Sequence, residues 1–257
     1  MKTRNSHSAA GEWLYGIHTV HTVLKTAPDR VQRLLMQPQR NPRLQKIIDL
    51  AHKHHIKIEG STADELEQLS GGNHQGVCAL CRAGESRDEN WLYGYVETLL
   101  APDSKRSPLL LILDGVTDPH NLGACLRTAD AVGVDAVIIP KDNSVGMTPV
   151  VQKVASGAAE AIPLIAVTNL ARCMEKLQAL GVWITGTSDQ AEQSLYQVKL
   201  QGAVALALGA EGGGLRRLTK EHCDQLVAIP MQGVVSSLNV SVAAGVCLYE
   251  VLRQRQH

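Results

Sequence analysis

Between residues 109 and 229 the sequence carries six short, almost wholly apolar runs, at 109–113, 134–140, 162–167, 182–185, 203–208 and 226–229. A strand exposed on one face alternates apolar and polar side chains, whereas runs apolar at nearly every position belong to strands covered on both faces. Stretches with helical spacing separate most of them, at 122–132, 148–158, 169–180 and 215–223, and a last helix opens near Val240. Repeated βα units predict a largely parallel sheet with helices on both faces. Ligands of such sheets bind beyond the carboxyl ends of the strands, which restricts where chemistry can sit.

The first part of the chain repeats the alternation on a smaller scale. A short helix is expected at 16–25, strands at 31–36 and 56–59 with a helix at 41–55 between them, a helix at 61–69 and a strand at 77–81. Ser61 or Thr62 followed by Asp64 and Glu65 is a helix-start pattern. These elements imply a small α/β domain over 12–83. Residues 84–107 begin charged and end rich in Pro, Ser, Lys and Arg, so they read as a linker with a short helix near 91–100. Trp91, Tyr93 and Tyr95 there suit either base stacking or packing against a domain. The third segment, 108–257, holds the six strands.

Composition bounds the function classes. An apolar fraction of 44% over 257 residues supports a substantial core, and no run approaches the length that crosses a membrane. Residues 1–13 lack the apolar core of a secretory signal and read as a loose tail. Formal charge is zero, yet residues 1–83 hold 11 Lys+Arg against 7 Asp+Glu, while 107–257 hold 11 against 13. A mildly basic amino-terminal module suits a polyanionic partner, weakly. The six cysteines fall mostly within apolar runs, as small core residues of a cytoplasmic protein do. Cys78 and Cys81 have CxxC spacing with His74 nearby, but no second pair follows and the run alternates like a strand. The histidines of 52–55 fit a solvated helix end better than a metal site.

Three segments lie at the expected carboxyl ends of strands. In DGVTDPHNLGACLR, 114–127, Asn121 stands at a helix start, and Arg127 follows about 9 Å along the axis. In LALGAEGGGL, 206–215, Glu211 is embedded among glycines that let backbone approach a ligand; neither GxGxxG nor a phosphate-binding GK[ST] is present. In IPMQGVVSSLNVSVAAGVCLYEVL, 229–252, Ser237, Leu238 and Asn239 occupy a strand-to-helix junction with unpaired N–H groups. Each has a plainer reading as a cap, a close helix contact or a simple loop. Glu211 has no second carboxylate or histidine at metal-ligand spacing, so no metal is expected.

In this order and spacing the three segments resemble the motifs of the SpoU (TrmH-type) branch of the SPOUT RNA 2′-O-methyltransferases, through residues 108–255. The amino-terminal GIHTVHTVL and the small α/β module further resemble the subgroup that methylates a guanosine ribose in 23S ribosomal RNA, in the P-loop region of the peptidyl-transferase centre. The resemblance implies a parallel sheet with a carboxyl-terminal trefoil knot, preceded by a ribosomal-protein-like RNA-binding domain. It implies S-adenosylmethionine as cofactor, large-subunit ribosomal RNA as substrate and a homodimer through the knotted region. Gly209, Ile229 and Leu238 would contact the cofactor through their backbones. Glu211, Ser237 and Asn239 would shape the pocket, and Asn121 and Arg127 would face the ribose. A transfer-RNA methyltransferase and an idle RNA-binding assembly factor are the alternatives; the amino-terminal module disfavours the first and the intact motif residues the second.

Overall fold

The structure, a computed structural model, describes residues 11–38, 41–82 and 87–256. The expectation for the tail up to residue 10, and the start of the linker at 84–86, lie outside them. The chain divides into two units, Met1–Ser86 and Arg87–His257.

In the first unit four strands, β1 (Glu12–Tyr15), β2 (Val31–Met36), β3 (Ile58–Gly60) and β4 (Val77–Cys81), form a sheet in the order β1-β4-β2-β3. β1 pairs antiparallel with β4, β4 antiparallel with β2, and β2 parallel with β3. Helices α1 (Ile17–Thr26) and α2 (Pro42–Lys53) cover one face, burying Val20, Val23, Leu24, Leu44, Ile47 and Ala51. Helix α3 (Ala63–Ser70) covers the other, with Leu66 against Leu35 and Cys78. Thr62 caps α3 by accepting from Glu65 N at 3.2 Å, as the helix-start pattern predicts. Strand β1 was not foreseen: four residues give too few turns of the alternation to stand out.

Cys78 and Cys81 lie three apart on β4, so their side chains leave opposite faces of the sheet. Cys81 joins the core beneath α1 and α2 and Cys78 the cluster beneath α3. They cannot share a ligand, and burial pushes the Cys78 thiol up to about 11.

The second unit is built on six strands, β5 (Leu109–Asp114), β6 (Ala136–Pro140), β7 (Leu164–Val167), β8 (Trp183–Thr187), β9 (Val204–Gly209) and β10 (Gln225–Val227), in the order β10-β8-β9-β5-β6-β7. Every pairing is parallel. Helices α5 (Pro119–Val132), α6 (Pro149–Ala155), α7 (Ala158–Ala161) and α10 (Val240–Gln256) contribute to the core on one face. Helices α4 (Glu89–Leu100) and α8 (Leu170–Ala179) contribute to the other. The expected helix at 148–158 is split, because Ser156 and Gly157 adopt φ of 51° and 94°. Helix α9 (Arg217–Glu221) is shorter than expected. At Gly123 a Cβ would fall 2.6 Å from Val154 Cβ, so α5 and α6 approach closely there.

Much of the stretch read as a linker, 84–107, is a layer of this unit. Asp88 caps α4 by accepting from Trp91 N at 2.9 Å. Leu92 and Val96, four apart, are fully buried against the sheet. Burying two such side chains contributes about 1.5–3 kcal/mol each, which explains why a segment with polar flanks is held as a helix. Trp91 and Tyr95 stack on one another with centroids 4.8 Å apart, so these rings serve packing. Among the described residues no helix is long and apolar enough to cross a membrane.

Candidate active site

Register brings the first two motifs side by side: Asp114, last in β5, pairs with Gly209, last in β9. Beyond Gly209 the chain turns back on itself. Gly214 N donates to Ala210 O at 2.9 Å, and the returning backbone passes directly over Gly209. Asp114, buried to 1% exposure, pins the end of this loop. Its Oδ2 accepts from Arg216 N at 3.0 Å and its Oδ1 from Arg216 Nε at 2.6 Å, with the Arg216 terminal nitrogen also bound to Oδ1. The glycine-rich loop is thus fixed at both ends.

The third motif arrives from the far side. Asn239 Oδ1 accepts from Ser241 N at 3.0 Å and Ser241 Oγ at 2.6 Å, and its carbonyl accepts from Ala243 N at 2.9 Å. It therefore caps α10. Its Nδ2 also donates to Asn121 Oδ1 at 3.0 Å and reaches Glu211 Oε2 at 3.4 Å. One side chain so joins residues from all three motifs. Asn121 is not a cap, as its plainer reading had it: Asp118 caps α5 by accepting from His120 N at 2.9 Å, and Asn121 is left free to turn to Asn239.

Beside this junction lies a cavity of about 370 Å³. Gly209, Glu211, Ile229, Ser237 and Leu238, all expected at the site, line it. Leu208, Val227 and Ala243 add apolar wall, and the backbone of 212–214 is open along one side. Thr187, Ser188, Asp189 and Gln190 at the end of β8, together with Lys220 and Met231, also line it and were missed. The signal was available: residues 187–190 follow a predicted strand at its carboxyl end, where such sheets bind ligands.

Arg127 does not join them. Six residues past Asn121 it is displaced about 9 Å along α5 and rotated about 120° around it. It is exposed, outside the lining of this chain's cavity, and has no hydrogen-bond or ion-pair partner among the described residues.

The pin gives a direct test. Arg216→Ala is expected to lower the denaturation midpoint by an amount worth about 1–3 kcal/mol, because the buried Asp114 carboxylate loses its charged donors. It is also expected to weaken binding of whatever the loop holds by roughly tenfold, about 1.4 kcal/mol. Chemical denaturation and calorimetric titration measure the two; unchanged affinity would mean the loop keeps its shape unaided.

A doubly covered parallel sheet whose strand ends gather a glycine loop and a carboxylate at a small-molecule cavity, with two amides joined beside it, defines an α/β enzyme with a cofactor site at its carboxyl edge. Residues 108–249 match the model of the SpoU rRNA Methylase family, and residues 13–86 match that for RNA 2′-O ribose methyltransferase substrate binding. The chain belongs to the SpoU rRNA methylase family. It is 54% identical over 245 residues to the 23S rRNA (guanosine-2′-O-)-methyltransferase RlmB of Pseudomonas syringae pv. tomato, with 95% of this chain and 96% of that one covered. The fold is that of a crystal structure of an RNA 2′-O ribose methyltransferase, with TM-score 0.72, 28% identity and coverage of 97% and 91%. It is also that of the SpoU methyltransferase AviRb from Streptomyces viridochromogenes in complex with the cofactor AdoMet, with TM-score 0.73, 22% identity and coverage of 98% and 94%. At that last identity the likeness speaks for the fold alone.

Proposed function

We propose that this chain transfers the methyl group of S-adenosylmethionine to the ribose 2′-hydroxyl of a guanosine in 23S ribosomal RNA. The observation that carries this reading is the meeting of Asn121, Glu211 and Asn239 at one hydrogen-bonded junction beside the cavity. The relative's activity supplies the substrate.

The cavity suits the cofactor. Its volume falls in the range of small-molecule sites, and its walls mix aliphatic side chains with hydroxyls and glycine backbone. When bound, the cofactor supplies a methyl group on a cationic sulfur, already activated for displacement. What remains for the protein is alignment and removal of a weakly acidic proton. The backbones at Gly209, Ile229 and Leu238 hold the cofactor, and Glu211 places negative charge at the junction. Asn121, Ser237 and Asn239 orient the hydroxyl. Arg127 holds the neighbouring phosphate and stabilises the developing alkoxide. A guanidinium is a poor proton acceptor, so Arg127 is not the base, and a phosphate oxygen or water takes the proton.

Arg127 lies away from the cavity of its own chain, which supports a site completed by a second copy that delivers it. A homodimer fits the exposed apolar side chains of Val234, Val235, Val242 and Tyr249 on and near α10. The carboxyl-terminal segments then follow the trefoil knot of the family, the first unit grips RNA, and the enzyme works in the cytoplasm. The test is incubation of the purified chain with tritiated cofactor and unmethylated 23S rRNA, then mapping of the ribose methyl. One modified guanosine in 23S rRNA is expected. Modification of transfer RNA in its place would overturn the substrate, and no binding of the cofactor would favour an idle assembly factor.

A further inference from the structure

The first unit is electrically two-faced, and its faces are set by the fold. Helix α3, alone on one side of the sheet, carries Asp64, Glu65 and Glu67 and no Lys or Arg. Helices α1 and α2, packed together on the other, carry Lys25, Arg43, Lys46 and Lys53 with His18 and His21, against the single carboxylate of Asp49. The whole chain's formal charge of zero hides this division, and the module's own excess, 11 Lys+Arg against 7 Asp+Glu over residues 1–83, understates it.

Spacing gathers the cations into two stripes. His18, His21 and Lys25 follow i, i+3, i+7 on α1, and Arg43, Lys46 and Lys53 follow i, i+3, i+10 on α2, so each set shares one side of its helix. The two rows meet at His21 and Lys46: the pKa of His21 is lowered, first by burial and then by Lys25, Lys46 and His18. Lys25, Arg43, Lys46 and Lys53 are exposed, and their side chains form no hydrogen bond or ion pair among the described residues. By contrast Arg33, on the sheet, is paired with Glu59 at 2.6 Å. Like charges left close together and unpaired are a cost that a polyanion relieves, and exposed, unpaired Lys and Arg are how proteins grip a nucleic-acid backbone.

We propose that the α1–α2 face of the first unit is the surface that docks the RNA sugar-phosphate backbone, with Lys25 and Lys46 at its centre and the acidic α3 face turned away. This deepens the functional reading above and rests on it for the identity of the RNA. The contacts are to phosphate, so the face supplies affinity and register rather than base selection.

The experiment uses the full chain, with unmethylated 23S rRNA transcript in filter binding from 50 to 200 mM salt. Lys25→Glu/Lys46→Glu is expected to weaken binding at least about tenfold at the low-salt end and to flatten the log–log salt slope by about 2, one unit for each phosphate no longer neutralised. Asp64→Asn/Glu67→Gln, on the opposite face, is expected to leave both unchanged. Cofactor affinity in the Lys pair variant serves as the folding control and should equal that of the unaltered chain, as should methyl transfer at saturating RNA. Unchanged binding in the Lys variant, or equal weakening by the two pairs, would overturn the assignment. A chain that binds RNA through this face and transfers no methyl would sink the functional reading and leave the docking face standing; methyl transfer with unaltered binding in the Lys variant would do the reverse.

Discussion

Gly209→Ala is expected to abolish useful binding of S-adenosylmethionine while leaving the chain folded. The added Cβ would lie 1.8 Å from the carbonyl carbon of Gly214, 2.0 Å from its oxygen and 2.1 Å from Leu215 N. All three are backbone atoms, so no side-chain rotation relieves the overlap, and either the strand or the loop must move. β9 is hydrogen-bonded to β5 along its whole length and to β8 as far as Ala207, and Val204 to Leu208 are buried. The loop has far less to lose, since residues 211–214 are exposed. It therefore lifts, breaking the Gly214–Ala210 bond and opening the cavity wall. Stability should fall by about 1–3 kcal/mol, the range for strain at a special backbone site. Affinity should fall by at least ~100-fold, about 2.8 kcal/mol. A thermal melt and a calorimetric titration of the same sample separate the two, and cofactor affinity like that of the unaltered chain would show that the loop does not form the binding wall.

What the sequence made legible, and what it hid, follows from the range of each interaction. The strands of the second unit were visible because burial on both faces leaves its mark residue by residue in runs such as LLLIL at 109–113. Helix α4 was taken for part of a tether because its buried stripe, Leu92 and Val96, sits between charged and Pro-containing flanks that dominate the local composition. The Asp114–Arg216 pin joins residues 102 apart in sequence, and no local period announces it. The meeting of Asn121, Glu211 and Asn239 was expected from likeness to a family, not from spacing; geometry now supplies its physical content through one amide, Asn239, that both caps α10 and bridges two other motifs. Axial distance and the family resemblance both set Arg127 near Asn121. The turn of the helix, which a count of 1.5 Å per residue omits, carries it away.

If Arg127 reaches the ribose from a second copy, as proposed, its loss should be the largest in the chemical step. Arg127→Ala is expected to leave cofactor affinity unchanged, since the side chain is outside the cavity lining, and to slow single-turnover methyl transfer by about 10²–10³, the usual cost of removing a donor aimed at developing negative charge. Arg127→Lys should recover only part of this, because an ammonium keeps the charge but lacks the planar fork that grips phosphate. The decisive arrangement is a mixed dimer. Chains carrying Arg127→Ala have an intact Asn239, and chains carrying Asn239→Ala have an intact Arg127, so each homodimer is inactive. If the guanidinium comes from the second copy, random pairing makes about half the dimers mixed, each with one whole site, and restores about a quarter of the activity. If both residues act from the same chain, no pairing restores any. Recovery on mixing would thus establish in one measurement that the enzyme is a dimer and that its two cavities are completed across the interface; a mixture as inactive as its parts would confine Arg127 to its own chain, where the geometry gives it nothing to hold.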